Sequence, residues 1–431
     1  MPKVIFLFLL SFLFCGYPLF AGEIIQRQGE GTPTLFQCYE LALKQSETLA
    51  VEEEQIHEAE ARFRQSLSAI LPRVDFSYSH KRQDGNNSGS STLREVPEHK
   101  FTFSQPLFSG FKEFASMAAD KAQERRQKWE YARSRQLLFL DVAEAFYLFL
   151  GYREEYEALD KIREALAERV GELKRREEMG RARLSEVVSV ESRLRRTEAE
   201  MEFMKTEREI SRQLLEFLTG VEVPSVAEEE PPDQVSFNSG RNRTISEDVM
   251  EERAEERPDV RAGQEALAKS RKDLAAARGE FWPAVSLEGN SYTKRTGSSQ
   301  DVDWDVTWKA EVPLFEGGEN MGKLREAEAL KNQEELRYRE TKRKAVLDIK
   351  TALVRWQNSL ERYKAMQKAL EAAEKNYQLQ QEDYRLNLVN NLEVLQAMED
   401  AEEMRRGFIQ VKNETRRYYW QLKIALGEDI P

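Results

Sequence analysis

The apolar residues of this chain follow two rhythms, and each rhythm occurs twice. Between Val302 and Val312 the sequence reads VDWDVTWKAEV: Val302, Trp304, Val306, Trp308, Ala310 and Val312 alternate with Asp303, Asp305, Thr307, Lys309 and Glu311. Period two marks a strand with one apolar and one polar face. A weaker partner covers about 284–294 and carries Gly289. Earlier in the chain Val74, Phe76, Tyr78 and His80 alternate with Asp75, Ser77, Ser79 and Lys81. After a stretch rich in Gly, Asn and Ser (84–92), Phe101 and Phe103 alternate with Lys100, Thr102 and Ser104. The pattern predicts two hairpins, 74–105 and 284–312. Pro72 and Pro283 mark their starts. Pro106 and Pro313 mark their ends, because proline cannot donate to a ladder.

The second rhythm is helical. From 109 to about 179 there is no proline, and Tyr152, Tyr156, Leu159, Leu166, Val170 and Leu173 recur at spacings of three, four or seven. Val187, Val190, Leu194, Thr197, Met201 and Met204 step by three and four, as do Val346, Ile349, Leu353, Trp356, Leu360 and Tyr363, and again Phe408, Val411, Thr415, Tyr418, Leu422 and Ala425. These are coiled-coil seams. About seventy residues at 1.5 Å each predict rods of roughly 100 Å. Met179-Gly180-Arg181 turns the first long pair (109–220), and 386–391 turns the second (316–427). Gly180 and Asn387 sit at the helix ends, where glycine and asparagine best accept the left-handed conformation. Asn390 followed by Glu393 has capping-box spacing.

These elements form a duplication. LPRVDFSY from Leu71 resembles WPAVSLEG from Trp282, and QPLFSGFK from Gln105 resembles VPLFEGGE from Val312. Pro106 and Pro313 lie 207 residues apart (313 − 106), and the same offset relates LSEVVSVE from Leu184 to NLEVLQAM from Asn391, and FLTG from Phe217 to IALG from Ile424. A fixed internal offset has to be explained before any fold is assigned. The predicted organisation is a first repeat, 35–220, and a second, 258–427, each a lead-in helix (35–69 and 258–281), a hairpin and a long helix pair. Between them 221–257, with Pro224, Pro231, Pro232 and the acids Glu228 to Glu230, reads as a linker with a short helix near 245–256. Residues 428–431 form a tail.

Composition narrows the class. The 431 residues are 33% charged and 40% hydrophobic, which suits helices with one narrow apolar stripe and wide solvated faces. The long apolar run, 4–15, follows Lys3 and precedes small residues at Ala21 and Gly22; about a dozen residues is too short to span a bilayer. It predicts a signal peptide, 1–21, and a flexible leader, 22–34. Cys15 follows Phe14 and not a small residue, so no lipid anchor is expected there. Loss of Cys15 with the signal leaves Cys38 alone, which precludes an intramolecular disulfide. A net charge of −12 argues against a nucleic-acid partner. His57, His80 and His99 have no metal-ligand spacing, and no phosphate loop or nucleophile motif occurs. No cofactor and no catalysis are expected.

Four strands cannot close a membrane barrel, and open sheet edges are not tolerated in lipid. If the sheet faces lipid, strands have to be pooled across chains: eight from two copies, twelve from three. A surface-anchored coiled-coil structural or adhesive protein is the competing class, but an adhesin would carry its strands as one C-terminal cluster. Here they are split, once per half.

In its doubled order, its PLF-x-G motif after each hairpin and its tip motif before V-L-x-A, the chain resembles the TolC-type outer-membrane efflux proteins over about 35–427. The resemblance implies an α+β membrane protein in which long antiparallel helical hairpins hang from a twelve-stranded barrel completed by three chains. It implies a homotrimer in the outer membrane of a double-membraned bacterium, its helical tunnel in the periplasm. A periplasmic adaptor and an inner-membrane transporter would be its partners, in efflux or type I secretion. It also assigns residues. The family's entrance segment D-V-L-D is here Glu393-Val394-Leu395-Gln396, so Glu393 keeps the acid and Gln396 does not. The family's tip glycine is Asn387 and its tyrosine is Tyr384. Gly180, Arg181, Asn387 and Asn390 would form the tips that meet the adaptor, and Trp304, Trp308, Phe101 and Phe103 would face lipid.

Overall fold

A computed structural model describes residues 32–82, 95–227, 246–296, 300–386 and 388–428. The predicted signal peptide, nearly all of the leader, the middle of the linker, Asn387 and most of the tail lie outside the described residues. The described chain from Pro33 onward forms one unit.

Each half opens with a broken lead-in helix. In the first half α1 (Leu35–Gln45) gives way at Ser46 to α2 (Glu47–Ser68). A single helix over 35–69 was expected. Ser46 is extended (ψ 106) and its hydroxyl accepts from the Leu49 N–H, so it caps a new helix. In the second half α5 (Glu247–Glu256) meets α6 (Pro258–Gly279) at Arg257, which is extended because it precedes a proline. Arg257 is buried there. Its guanidinium donates to both Asp259 oxygens (3.0 and 2.7 Å), to Asp348 (3.2 Å) and to the Ala345 carbonyl (3.3 Å). Burial opposes the charge on Asp259, but the adjacent guanidinium outweighs it and holds that carboxyl below its usual range.

The strands β1 (Arg73–Arg82), β2 (Glu95–Ser109), β3 (Ala284–Lys294) and β4 (Trp304–Glu311) form one antiparallel sheet in the order β1-β2-β3-β4. Pro313 lies past the end of β4, but Pro106 does not end β2. That strand runs on to Ser109, with a register shift between Pro106 and Phe108. The last β1–β2 pair is Arg73 with Ser104, so beyond it β2 pairs only with β3, and the N–H that Pro106 lacks has no β1 carbonyl to reach.

Two helices of 67 residues, α3 (Lys112–Glu178) and α7 (Glu319–Arg385), each turn back into α4 (Leu184–Thr219) and α8 (Asn391–Ala425). The seams lie where the periodicity puts them: Val187, Val190, Met201 and Met204 are buried on α4, Ile349, Leu353 and Trp356 on α7, and Val411, Thr415 and Leu422 on α8. The two halves also build matching cores beside the lead-in helices. The first joins Leu35, Cys38, Tyr39 and Ala42 to Phe139, Phe146 and Leu150 of α3, and draws in Val223 and Val226 from the start of the linker. The second joins Met250, Ala254 and Val260 to Ile349, Leu353 and Trp356. Ion pairs tie α8 across to the first hairpin, among them Arg193–Glu402 (2.8 Å), Arg406–Glu200 (3.0 Å) and Lys412–Glu154 (2.9 Å).

Candidate functional site

Two regions carry the chemistry: the sheet, and the turns at the far end of the long helices. Because side chains alternate along each strand, the register collects Val74, Phe76 and Tyr78 of β1, Phe101 and Phe103 of β2, Gly289 of β3, and Trp304, Val306 and Trp308 of β4 on one face. The large apolar side chains of this face are exposed, Trp304 and Trp308 at 69% each. Phe76 and Phe101 stack across strands with ring centroids 5.0 Å apart. The opposite face is polar and internally bonded. Thr102 donates to Asn290 (2.9 Å), Asn290 donates to Asp305 (2.9 Å), and the Tyr292 hydroxyl donates to the second oxygen of Asp305 (2.7 Å). The sheet thus has one face built for an apolar medium and one for water.

At the turns, Gly180 takes φ 65, with nothing within 4 Å of where a side chain would begin, and Gly180 and Arg181 are exposed. Asn390 caps α8: its side-chain oxygen accepts from the N–H groups of Leu392 (2.9 Å) and Glu393 (3.1 Å). The Asn390 N–H in turn donates to the Glu393 carboxylate (2.8 Å). Glu393 is therefore held by the helix start it serves, where a negative charge also suits the helix dipole. Glu393 and Gln396 both face solvent in the single chain. Tyr384 does not; it is 9% exposed and packs against α3. The Arg169 guanidinium lies 3.8 Å from its ring centroid, and Arg176 donates to its hydroxyl at 3.0 Å. Arg169 also donates to the Asn391 side chain (3.2 and 3.1 Å), and Glu172 binds both arginines (2.8 and 2.7 Å).

Arg169, Arg176, Glu172 and Asn391 escaped the sequence reading. Their only local signal is the basic end of α3, which reads as ordinary helix-dipole complementarity. The exposed apolar side chains of the turns also escaped it: Met179 and Leu184 on one, and Leu386, Leu388 and Leu392 on the other. Among the described residues no group of three or more His, Cys, Asp or Glu side chains could hold a metal ion, and no helix is long and apolar enough to cross a membrane.

The family model for outer membrane efflux proteins matches residues 38–221 and 249–428. Nodulation protein T of Rhizobium leguminosarum bv. trifolii is 22% identical over 249 residues, 56% of this chain and 52% of that protein. The outer membrane protein TolC of Vibrio cholerae is 23% identical over 273 residues, 61% of this chain and 60% of that protein. The matches thus span between half and two thirds of these relatives. The crystal structure of CusC superimposes with a TM-score of 0.81 at 18% identity, covering 94% of this chain and 96% of that one; at that identity the likeness is one of fold. The doubled repeat, the two-faced sheet and the family match over both halves lead to one conclusion: this chain belongs to the outer membrane efflux protein family.

Proposed function

We propose that this protein is a passive exit duct in the outer membrane, assembled from three copies. The observation that carries the reading is the sheet. It draws two strands from each repeat, exposes an aromatic face, hydrogen-bonds its polar face and leaves both edge strands unpaired. Edges of that kind require partners, and membrane barrels begin at about eight strands. Three copies supply twelve strands, with Trp304, Trp308, Phe101 and Phe103 toward lipid and the polar row toward a water-filled lumen. The long helices then extend the lumen through the periplasm. The two hairpins sit symmetrically, one per repeat, which a C-terminal surface anchor would not do.

At the turns, Gly180, Arg181, Asn390 and the exposed leucines beside them form the surface offered to a periplasmic adaptor, and through it to an inner-membrane transporter. Glu393 marks the entrance. Threefold symmetry brings three of its carboxylates round one axis, where they focus a negative potential and favour cations, as acidic rings do in selective pores. Gln396 adds no second ring. The protein moves solutes and performs no chemistry on them.

Glu393→Gln tests this cleanly, because glutamine preserves the capping box and removes only the charge. The variant is expected to remain a detergent-extracted trimer by light scattering, and to lower the cation-to-anion permeability ratio in planar-bilayer recordings. An unchanged ratio would show that Glu393 is a helix cap alone.

A further inference from the structure

The internal repeat states what lies against the two sheet edges. Strand β1 maps onto β3 with an offset of 211 (284 − 73), and β2 onto β4 with an offset of 207 (311 − 104). Under this mapping the register of one hairpin becomes that of the other: Arg73 faces Ser104 where Ala284 faces Glu311, and Phe76 faces Phe101 where Leu287 faces Trp308. The mapping also acts on the pairing between the repeats, in which Phe103 faces Gly289 and Gln105 faces Leu287. It turns that pairing into one between β4 and a β1 that the same chain cannot supply, since its own β1 is the opposite edge.

We infer that β4 pairs with β1 of a neighbouring copy in one register, Ala310 opposite Tyr78 and Val312 opposite Phe76. The inference rests on the multi-copy barrel proposed above and adds to it which residues meet at the seam.

The charges on the polar face select the same register independently. In it Lys309 faces Ser79 and Glu311 faces Ser77, so no like charges oppose. A slip of two residues one way sets Lys309 opposite Lys81. The same slip the other way sets Glu311 opposite Asp75. Like charges directly opposite destabilise a pair of strands. A slip of one residue would place Trp304 and Trp308 on the side of the neighbour's charged row.

The strand-to-helix junctions agree. Gly110 (φ 68) is closed in by the α6–β3 junction: a Cβ there would lie 2.3 Å from the Gly279 carbonyl oxygen and 2.8 Å from Trp282 Cβ. Its equivalent, Gly317 (φ 63), meets nothing within 4 Å, and Leu314 and Phe315 beside it are 91% and 89% exposed. Gly279 and Trp282 map onto Ser68 and Leu71, and Leu71 is itself half exposed. The neighbouring copy therefore brings Ser68 and Leu71 onto Gly317, as this chain brings Gly279 and Trp282 onto Gly110.

The test is disulfide trapping in the full-length, membrane-assembled protein. Residues directly opposite on paired strands lie within the Cα separation a disulfide spans, about 4.4–6.8 Å. Oxidised Tyr78→Cys/Ala310→Cys protein is expected to run mainly as covalent trimer on a non-reducing gel and to revert to monomer with reductant. Each single variant should stay monomeric on the gel. The slipped pairs His80→Cys/Ala310→Cys and Phe76→Cys/Ala310→Cys are expected to cross-link far less. Phe76→Cys/Val312→Cys tests the same register with other residues, should Tyr78→Cys fail to assemble. Light scattering of each preparation separates the two ways of failing. A trimer that cross-links better at a slipped pair, or at neither predicted pair, overturns the register and leaves the duct standing. An assembly of another copy number, or a monomer, overturns both.

Discussion

The helices α3 and α7 have the same length, 67 residues, and the same place in the repeat, yet α3 buries 20 residues within the chain and α7 buries 8. The difference follows from position more than from composition. In the single chain α3 is flanked by α1, α2, α4, α6 and α8, whereas α7 touches α5, α6 and α8. The contact of α3 with α6 has no counterpart on α7, because its counterpart would be α2 of another copy. Leu336, Leu347 and Val354 accordingly stand exposed on α7. One half of the duplication completes its packing by folding; the other leaves that face bare in the single chain.

Substitutions on the two helices should separate these processes. Phe146 on α3 is fully buried in the first core. Phe146→Ala is expected to cost about 3–5 kcal/mol and to lower the Tm followed by helical circular dichroism. Val354 on α7 is 64% exposed in the single chain. Val354→Asp is expected to leave the helical signal of the chain intact and to abolish the trimer in light scattering. Full trimer from Val354→Asp would mean that the bare face of α7 is merely solvated, and the contrast would dissolve.

A smaller effect sharpens the contrast at one equivalent pair. Glu155 on α3 matches Arg362 on α7 (362 − 155 = 207). Arg362 is exposed and pairs with Glu414 at 3.0 Å. Glu155 is 2% exposed, with one carboxylate oxygen lacking a hydrogen bond and the Arg406 guanidinium 3.8 Å away. Burial pushes its carboxyl above the usual range, against the pull of Gln410 and Arg406. The folded chain thus holds this proton to a higher pH than the unfolded one, where glutamate titrates near about 4.3. Stability from this group is full below the unfolded value and is lost as pH rises through the folded one. Glu155→Gln should raise the Tm at pH 7.5 by about 1–2 °C, on the order of 1 kcal/mol, and the gain should shrink as pH falls toward 4. A gain independent of pH would refute the cause.

The smallest effect lies at the turns. Asn390 and Glu393 form a capping box at the start of α8, but at the start of α4 the matching position is Arg183, which makes no side-chain cap. Glu186 already stands where the second half has Glu393. Arg183→Asn should build the box in the first half and add about 0.5–1 kcal/mol of local stability, read as slower hydrogen exchange at the Ser185 and Glu186 amides. Unchanged exchange would show that the first turn opens by a route the cap does not control.

What the sequence shows of all this is local periodicity. The strict alternation of 302–312 gave the sheet's two faces, and the steps of three and four gave the seams, because burial on one side of a regular element leaves that mark directly. The cap at Asn390 was readable because its partner lies three residues on. The helix break at Ser46 was readable in principle from a serine with no competing partner, but a continuous helix explains the same apolar pattern. Pro106 misled because its missing N–H matters only if a strand lies on that side, which is a fact of topology. The bond from Arg176 to Tyr384 joins residues 208 apart, and no spacing rule reaches that far.

The two repeat offsets differ by four residues, and the difference falls between the strands of the hairpins, where Arg82 and Glu95 are farther apart than Lys294 and Trp304. The helices match in length to within a residue, 67 against 67 for the first long helices and 36 against 35 for the second. The physical reason is the pitch of the helix: four extra residues inside α3 would lengthen it by about 6 Å and turn everything beyond by about 40°, carrying Leu166 and Leu173 off the seam. For an engineer, the rods therefore tolerate substitution far better than any change of length.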